Sequence, residues 1–327
     1  MSVTIKDVAK NANVSIATVS RVLAGKKEAY SSSTERKVKK AIRELGYKKN
    51  TAAVELVTMH SNVIAVLVPT PKTNFAMKII DSIQKGADMK NLNVIILFVG
   101  DNDEKMQIKA LNNVIERPVN GILLISVELF GDAVNLLKNS DIPHVFVSTA
   151  IDKESQFVSS DDFKIGYEAT KFLIEKGHKK IGLSSLEKNS FIGRQRVSGY
   201  LAALNDYHLP HSNDWIVEGD YSYESGFSAM QHYKENTDIT AVIGASDLVA
   251  IGIINAAKQL NINVPNQLAV VSIDGTYLVD IVSPRVTSVT QSFFTMGETA
   301  LNMLFADENA VSNYMYIPFK IDEREST

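Results

Sequence analysis

A chain of 327 residues, 45% hydrophobic and 22% charged, has the balance of a globular protein and the length for two or three domains that fold without covalent staples. The absence of cysteine excludes disulfides, thiolate metal sites and thiol nucleophiles, and with no apolar h-region in MSVTIKDVAK and no run of eighteen apolar residues, neither secretion nor a membrane span is expected and a cytoplasmic location is. The net charge of −3 is unevenly spread: residues 1 to 60 carry twelve Lys and Arg against five Asp and Glu, or +7, leaving −10 on the remaining 267 residues.

A small basic head on an acidic body suits a polyanion partner, because counterion release from phosphates rewards clustered positive charge. On charge alone, a solvated basic face explains the asymmetry equally.

In chain order, the first 47 residues predict three short helices. TIKDVAKNA has helical spacing, Asn13-Val14 makes a turn, Ser15 is placed to N-cap a second helix, and SSTERKVKKAIRELGY gives a third that stops at Gly46. Two helices joined by so short a turn form a helix-turn-helix unit. KKNTAAVELVTMH, residues 48–60, follows as a linker able to become helical over about two turns.

From Val63 the texture changes to buried-strand runs alternating with amphipathic helices: VIAVLV, VIILFV, GILLIS, HVFVS, KIGLSS, AVIGA and LAVVSID. Continuous apolar runs separated by helices mean parallel strands covered on both faces, a doubly wound α/β fold. The series occurs twice, with a break near 149–159, so residues 61–327 are expected to form two lobes with a cleft at the carboxyl ends of their strands, where ligands bind in open α/β sheets.

Within VSIATVSRVLAG, Val19, Val22 and Leu23 form the buried stripe, and the opposite face presents Ile16, Ala17, Ser20 and Arg21 with no acid. That face suits a DNA major groove. Ser15 and Thr18 can donate to phosphates, Ile16 and Ala17 can touch thymine methyls, and Arg21 can reach a guanine or a phosphate. A surface helix with an incidental Ile is the alternative on the local pattern.

TIKDVAKNANVSIATVSRVLAG, TERKVKKAIRELGY and the Asn50 to Leu56 linker resemble the headpiece of the LacI/GalR family of bacterial transcription regulators. GHKKIGLSS, RVSGYLAAL, ASDLVAIGIINAA and VVSIDGTYLVDIVSPRVTSVTQS resemble that family's effector domain in order and spacing, a domain similar to periplasmic sugar-binding proteins. EGDYSYESGFSAMQHY, the VSTA turn and the IDEREST terminus are most similar to the family's carbon-catabolite-control branch.

The resemblance implies a homodimer with a recognition helix in each half of a pseudopalindromic operator. It implies DNA contacts from Thr4, Ser15, Ile16, Ala17, Thr18, Arg21, Tyr47, Asn50, Ala53 and Leu56, with the hinge folding on DNA and Leu56 wedging a central base step. Lys49, where the family usually has Pro, Val54, where it has Arg, and the acidic Glu55 depart from the pattern and predict weaker hinge binding or a different central sequence.

For the cleft, the resemblance assigns sugar hydroxyls to Arg196 and Asp274, and the expected effector site is completed by Tyr221, Ser246, Asp247 and Phe293. A guanidinium and a carboxylate can each form paired hydrogen bonds to neighbouring hydroxyls, and Tyr221 or Phe293 can cover a sugar's apolar face. Ser246 stands where many relatives have Asn, which removes an amide donor. The expected effector is a small sugar or sugar phosphate. Without the resemblance, Arg196 reads as a helix-surface Arg and Asp274 as a loop residue.

The catabolite-control branch also implies docking of a serine-phosphorylated phosphocarrier protein on a C-terminal helix near 293–305. The position of that branch's phosphate-meeting base is Asn302, followed by Ala306, Asp307 and Glu308, which argues against this partner. The six His residues show no i, i+4 pairing around a carboxylate, so no metal is expected, and GDNDEK reads as a strand-end turn and helix cap rather than a calcium loop. No Walker loop, G-x-S-x-G or G-x-G-x-x-G occurs, so neither a cofactor nor an enzyme is expected. The leading function is an effector-modulated, sequence-specific regulator, in all expectation a repressor, of carbon catabolism. Its rivals are a global regulator driven by the phosphocarrier and a sugar-binding protein without DNA function.

Overall fold

The computed structural model describes residues 3–47, 61–70, 74–100, 103–150, 155–306 and 313–327. The chain divides into two compact units, Met1–Ser61 and Asn62–Thr327.

In the first unit, α1 (Ile5–Ala12), α2 (Ile16–Leu23) and α3 (Ser32–Leu45) surround a small core of Val8, Ala9, Ala12, Val19, Val22, Val38 and Ala41, with Leu23 packed at its edge. The turn between α1 and α2 is set by Asn13 in the left-handed region, and α3 ends at Gly46 in the same conformation. Ser15 and Ser31 cap α2 and α3 by accepting the Thr18 and Thr34 backbone N–H.

The second unit holds two sheets, each of six strands among the described residues. The first contains β1 (Val63–Val68), β2 (Asn93–Phe98), β3 (Gly121–Ile125), β4 (His144–Val147), β5 (Phe157–Ser159) and β11 (Tyr314–Tyr316), in the order β11-β5-β4-β3-β1-β2. The second contains β6 (Ile181–Leu186), β7 (Ile216–Glu218), β8 (Ala241–Gly244), β9 (Ala269–Asp274), β10 (Thr287–Gln291) and β12 (Phe319–Asp322), in the order β12-β10-β9-β8-β6-β7. All pairings are parallel except β10 with β12.

Both faces are covered along the central strands, which explains their unbroken apolar runs. The edge strand β2 departs from this expectation: its VIILFV run leaves Ile96 and Phe98 exposed, because a strand at the sheet edge is only partly covered. Along β1, Ile64, Val66 and Val68 enter one core and Ala65 and Leu67 the other; along β9, Ala269, Val271 and Ile273 alternate with Val270 in the same way. The covering helices of the first lobe are α4 (Ala76–Met89), α5 (Glu104–Ile115) and α6 (Asp132–Lys138); Asp103 caps α5, so GDNDEK ends in a helix cap. Those of the second are α7 (Asp162–Glu175), α8 (Phe191–Asp206), α9 (Tyr223–Asn236), α10 (Asp247–Gln259) and the short α11 (Leu278–Ile281).

The lobes do not simply follow one another. β5 still belongs to the first sheet, so the chain crosses after Ser159, and α12 (Phe293–Leu304) returns to the first lobe, where Phe293, Met296, Ala300 and Leu301 join its core against Ile79 and Ile83 of α4. Ser82 Oγ of α4 donates to the Phe294 carbonyl at 2.6 Å and fixes that docking. The chain crosses again between β11 and β12. Three connecting segments therefore join the lobes, after β5, after β10 and between β11 and β12.

Candidate functional site

The DNA-facing candidates lie on the headpiece. Ile16 is 44% exposed, and Ala17, Ser20 and Arg21 are exposed beside it with no acid in the first turn of α2. Ser15 and Thr18 are partly committed to each other, their hydroxyl oxygens 2.9 Å apart while Ser15 Oγ accepts the Thr18 N–H at 3.1 Å. Thr4 Oγ1 donates to Asp7 at 2.7 Å, and this bond with the Thr4 N–H holds the Asp7 carboxyl below its usual range. Tyr47 is half-buried against the headpiece core. Asn50, Ala53 and Leu56, with Lys49, Val54 and Glu55, lie outside the described residues.

Between the lobes of the second unit is a cavity of about 300 Å³, in the range of small-molecule sites. Arg196, Tyr221, Ser246 and Asp274 all line it. Arg196 sits on α8 at its close crossing with α7. A side chain at Gly166 would overlap the Arg196 carbonyl and one at Gly199 the Phe163 carbonyl, so the glycine of R-x-x-G-Y exists to let the two helices meet. That approach buries Arg196 to 5% exposure and brings its Nε within 2.8 Å of Asp162 Oδ1, while Nη1 donates to the Ala245 carbonyl at 2.9 Å. Burial alone would lower the guanidinium pKa, but Asp162, Tyr221 and Asp274 hold it above its ordinary value. Neither the bond to Asp162 nor that to Ala245 uses Nη2.

Asp274 ends β9 with φ at +116°, a costly conformation for a side-chain-bearing residue. Gly275 must follow, because a Cβ there would collide with Thr290 and its own φ is +68°. Ser126, Ser148 and Tyr221 also line the cavity with φ between 52° and 65°, so strained backbone collects where the strand ends meet the cleft. Asp274 Oδ1 accepts a bond from Gln291 Nε2 at 3.1 Å. Burial, and then the neighbouring Asp247 carboxylate, push its pKa well above the usual carboxylate range, against the pull of Arg196.

Two assigned residues do not reach the cavity. Phe293 is 2% exposed, belongs to the first-lobe core and stacks on Phe75 with ring centroids 4.9 Å apart. The expectation that Phe293 covers a sugar face is therefore corrected: Phe75 lines the cavity and Phe293 backs it. Asp247 lies behind the wall, accepting from Ser272 Oγ and from the Gly275 and Thr276 N–H groups, and so shapes the Asp274 turn. Ser246 lines the cavity, but its hydroxyl caps α10 at Val249 and donates to the Tyr221 carbonyl.

Comparison with known proteins agrees with this architecture. The profile described as "Bacterial regulatory proteins, lacI family" matches residues 4–50, and "Periplasmic binding proteins and sugar binding domain of LacI family" matches residues 61–320. The chain belongs to the LacI family. It is 34% identical to catabolite control protein A of Priestia megaterium, with both chains covered completely. The lac repressor dimer bound to operator and the anti-inducer ONPF superposes with a TM-score of 0.88 at 25% identity, covering 100% of this chain and 99% of that one. The regulator CelR in complex with cellobiose gives 0.76 at 25% identity, over 99% and 100%.

This LacI-family chain is a DNA-binding transcription regulator and not an enzyme. No described helix is long and apolar enough to cross a membrane. Several cleft residues went unread in the sequence. Asp162 is buried and pairs with Arg196, Phe75 supplies the aromatic wall, Gln291 orients Asp274, and Glu128 lines the cleft from the first lobe. The paired acids of SSDDF carried the one local sign, since Asp161 caps α7 and leaves Asp162 to turn inward.

Proposed function

We propose that this chain is a homodimeric repressor of carbohydrate genes whose operator affinity is set by a small polyhydroxyl ligand held between the lobes. The carrying observation is the convergence of Arg196, Asp274, Tyr221 and the aromatic Phe75 on one cavity, with the buried hydroxyls of Ser126 and Thr149, also on its lining, lacking a hydrogen-bond partner among the described residues. A ligand rich in hydroxyls satisfies these groups, and its C–H face suits Phe75. Cellobiose in the similar CelR supports the same ligand class.

On DNA, Ile16 and Ala17 meet thymine methyls and Arg21 reaches a guanine, while Thr4, Ser15, Thr18 and Tyr47 address phosphates and Asn50, Ala53 and Leu56 the minor groove. Exposed Tyr277 and Ile281 on the second lobe supply apolar surface for a second copy, whereas exposed Met77, Ile96 and Phe98 of the first lobe lie on the lining of the cavity. A phosphocarrier partner is disfavoured, because α12 has no basic residue from Phe293 to Leu304.

The test is operator selection from random DNA, repeated with candidate sugars. The expected result is a pseudopalindromic site whose affinity changes with at least one sugar in the wild type and with none in Arg196→Ala. Absence of sequence preference would overturn the regulator's proposed mode of reading, and a sugar response retained in Arg196→Ala would overturn the cleft as its seat.

A further inference from the structure

The cavity that holds Arg196 and Asp274 does not end the cleft. Beside it, at the start of α8, lies a second hollow of about 450 Å³, lined by Phe130 of the first lobe and by Glu187, Lys188, Asn189 and Glu218 of the second. Glu128, Glu187 and Ser190 line both spaces, so the two share a wall. At that wall the Tyr221 hydroxyl of the inner cavity is 3.5 Å from Ser190 Oγ, and the neighbouring Asn189 already belongs to the hollow. The inner cavity, at about 300 Å³, is at the lower end of small-molecule sites and suits one sugar ring against Phe75. The hollow offers room for another.

Phe130 gives the hollow its character. Its ring is 39% exposed, whereas the loop that carries it is fixed by buried groups: Gln107 accepts the Phe130 N–H at 3.1 Å and donates to the Glu128 carbonyl at 2.8 Å. Two residues on, the Asp132 N–H is taken by Glu104 Oε1 at 2.6 Å. The ring is therefore held in place yet wet. A single exposed phenyl is ordinary on an open surface, but this one stands in a concave space that continues the cleft, among side chains able to donate and accept hydrogen bonds. That pairing matches a pyranose, whose C–H face packs on an aromatic ring while its hydroxyls point outward to polar groups.

We propose that the hollow is a second sugar subsite with Phe130 as its platform, so that the cleft takes a disaccharide with one ring against Phe75 and the other against Phe130. Arg196 and Asp274 anchor the inner ring, and Phe130, with Lys188, Asn189 and Glu218 around it, selects for the presence of the outer one. This rests on the proposed reading of the cleft as the effector site, and the experiment separates the two.

Titration calorimetry on the whole chain compares glucose and fructose with cellobiose, maltose, trehalose and sucrose, for the wild type, Phe130→Ala, Phe130→Tyr and Arg196→Ala. At least one disaccharide is expected to bind the wild type at least about fivefold more tightly than its constituent monosaccharides, or to bind where they do not. Phe130→Ala should remove that advantage without weakening any monosaccharide that binds, Phe130→Tyr should keep it, and Arg196→Ala should lose every sugar. Disaccharides no tighter than monosaccharides, an advantage that survives in Phe130→Ala, or one lost equally in Phe130→Tyr overturns the outer subsite. So does a monosaccharide weakened by Phe130→Ala as much as the disaccharide, because the ring would then act on the cleft as a whole. In each of these cases a loss of binding in Arg196→Ala leaves the cleft as the effector site. Failure of every sugar to bind the wild type, or binding unaffected by Arg196→Ala, overturns the effector reading along with the subsite.

Discussion

The Glu128 carboxylate, just beyond β3 in the first lobe, accepts the backbone N–H of Phe191 at the start of α8 in the second lobe at 2.6 Å. Gln107, 1% exposed, holds the Glu128 loop in place by donating to the Glu128 carbonyl at 2.8 Å and accepting the Phe130 N–H at 3.1 Å. A negative charge at a helix start is favourable, so this contact joins the lobes across the cleft while they are close together.

Removing that carboxylate should loosen closure. Glu128→Ala is expected to weaken binding of a cleft sugar about tenfold, near the ~1.5 kcal/mol lower bound for a hydrogen bond to a charged group, whereas Glu128→Gln, which keeps an acceptor, should retain most of the affinity. Calorimetric titration of both variants checks this. Equal affinities for wild type and Glu128→Ala would show that the bond does not favour the ligand-bound arrangement.

Asp274 should cost the unliganded protein stability. Its pKa is raised in the folded state, so the wild type loses stability as pH rises from the unfolded carboxylate value through the folded one. Asp247, Asp162 and Arg196 are the charged groups around it. Asp274→Asn keeps an acceptor for Gln291 and removes the charge. It should raise Tm by a few degrees, ~1 kcal/mol, at pH 7.5, show a smaller gain at pH 4.5, and abolish sugar binding. A Tm difference that grows on acidification would contradict the assigned direction.

What the sequence disclosed was what local chemistry decides. Ser15 as a cap, Asn13 as a turn and Gly46 as a helix stop each depend on backbone groups within four residues, and the β1 and β9 runs record burial on both faces. Arg196 and Asp274 were legible only through the family resemblance, and their partners were not: Asp162 lies 34 residues from Arg196, and Glu128 meets Phe191 across 63 residues and two lobes. Phe293 was misread because an aromatic at a strand-to-helix junction beside the site carries no sign of which way it faces. The return of α12 to the first lobe decides that, and such a crossing leaves no periodic trace.

Phe75 and Phe293 should therefore separate binding from stability. Phe293→Ala empties a core position and is expected to cost about 3 to 5 kcal/mol of stability. Phe75→Ala, on the cavity wall, should cost less stability and reduce sugar affinity more than any other aromatic truncation on the cleft. Denaturant melts and titrations of the two variants are compared, and a Phe293→Ala protein as stable as wild type would restore it to the ligand.

On DNA, Arg21→Ala should weaken binding to the preferred operator by about 1 to 3 kcal/mol and relax preference at one position in each half-site. Arg21 is exposed on the same face as Ile16, and α2 contains no acid to neutralise it. Repeating the operator selection with the variant reads this directly. Equal weakening on the operator and on random DNA would reassign Arg21 to a phosphate.

The surface of α12 bears on a protein corepressor. Its buried side, from Phe293 to Leu304, is taken up by α4 and the first-lobe core, leaving Phe294, Thr295, Glu298 and Asn302 exposed. Lys85 of α4 approaches over the Phe294 ring, with its charge centre 5.4 Å from the centroid, but it is paired with Asp81 at 2.7 Å. A phosphoserine needs a guanidinium or ammonium free to form charge-assisted bonds, and an amide beside Glu298 offers a weak neutral donor instead. Serine-phosphorylated phosphocarrier protein is thus expected to leave operator affinity unchanged. Asn302→Arg should introduce a measurable, phosphate-dependent gain where the wild type has none. Titration of both forms of the carrier against each protein on its operator decides the matter, and a large phosphate-dependent gain with the wild type would overturn this reading of Asn302.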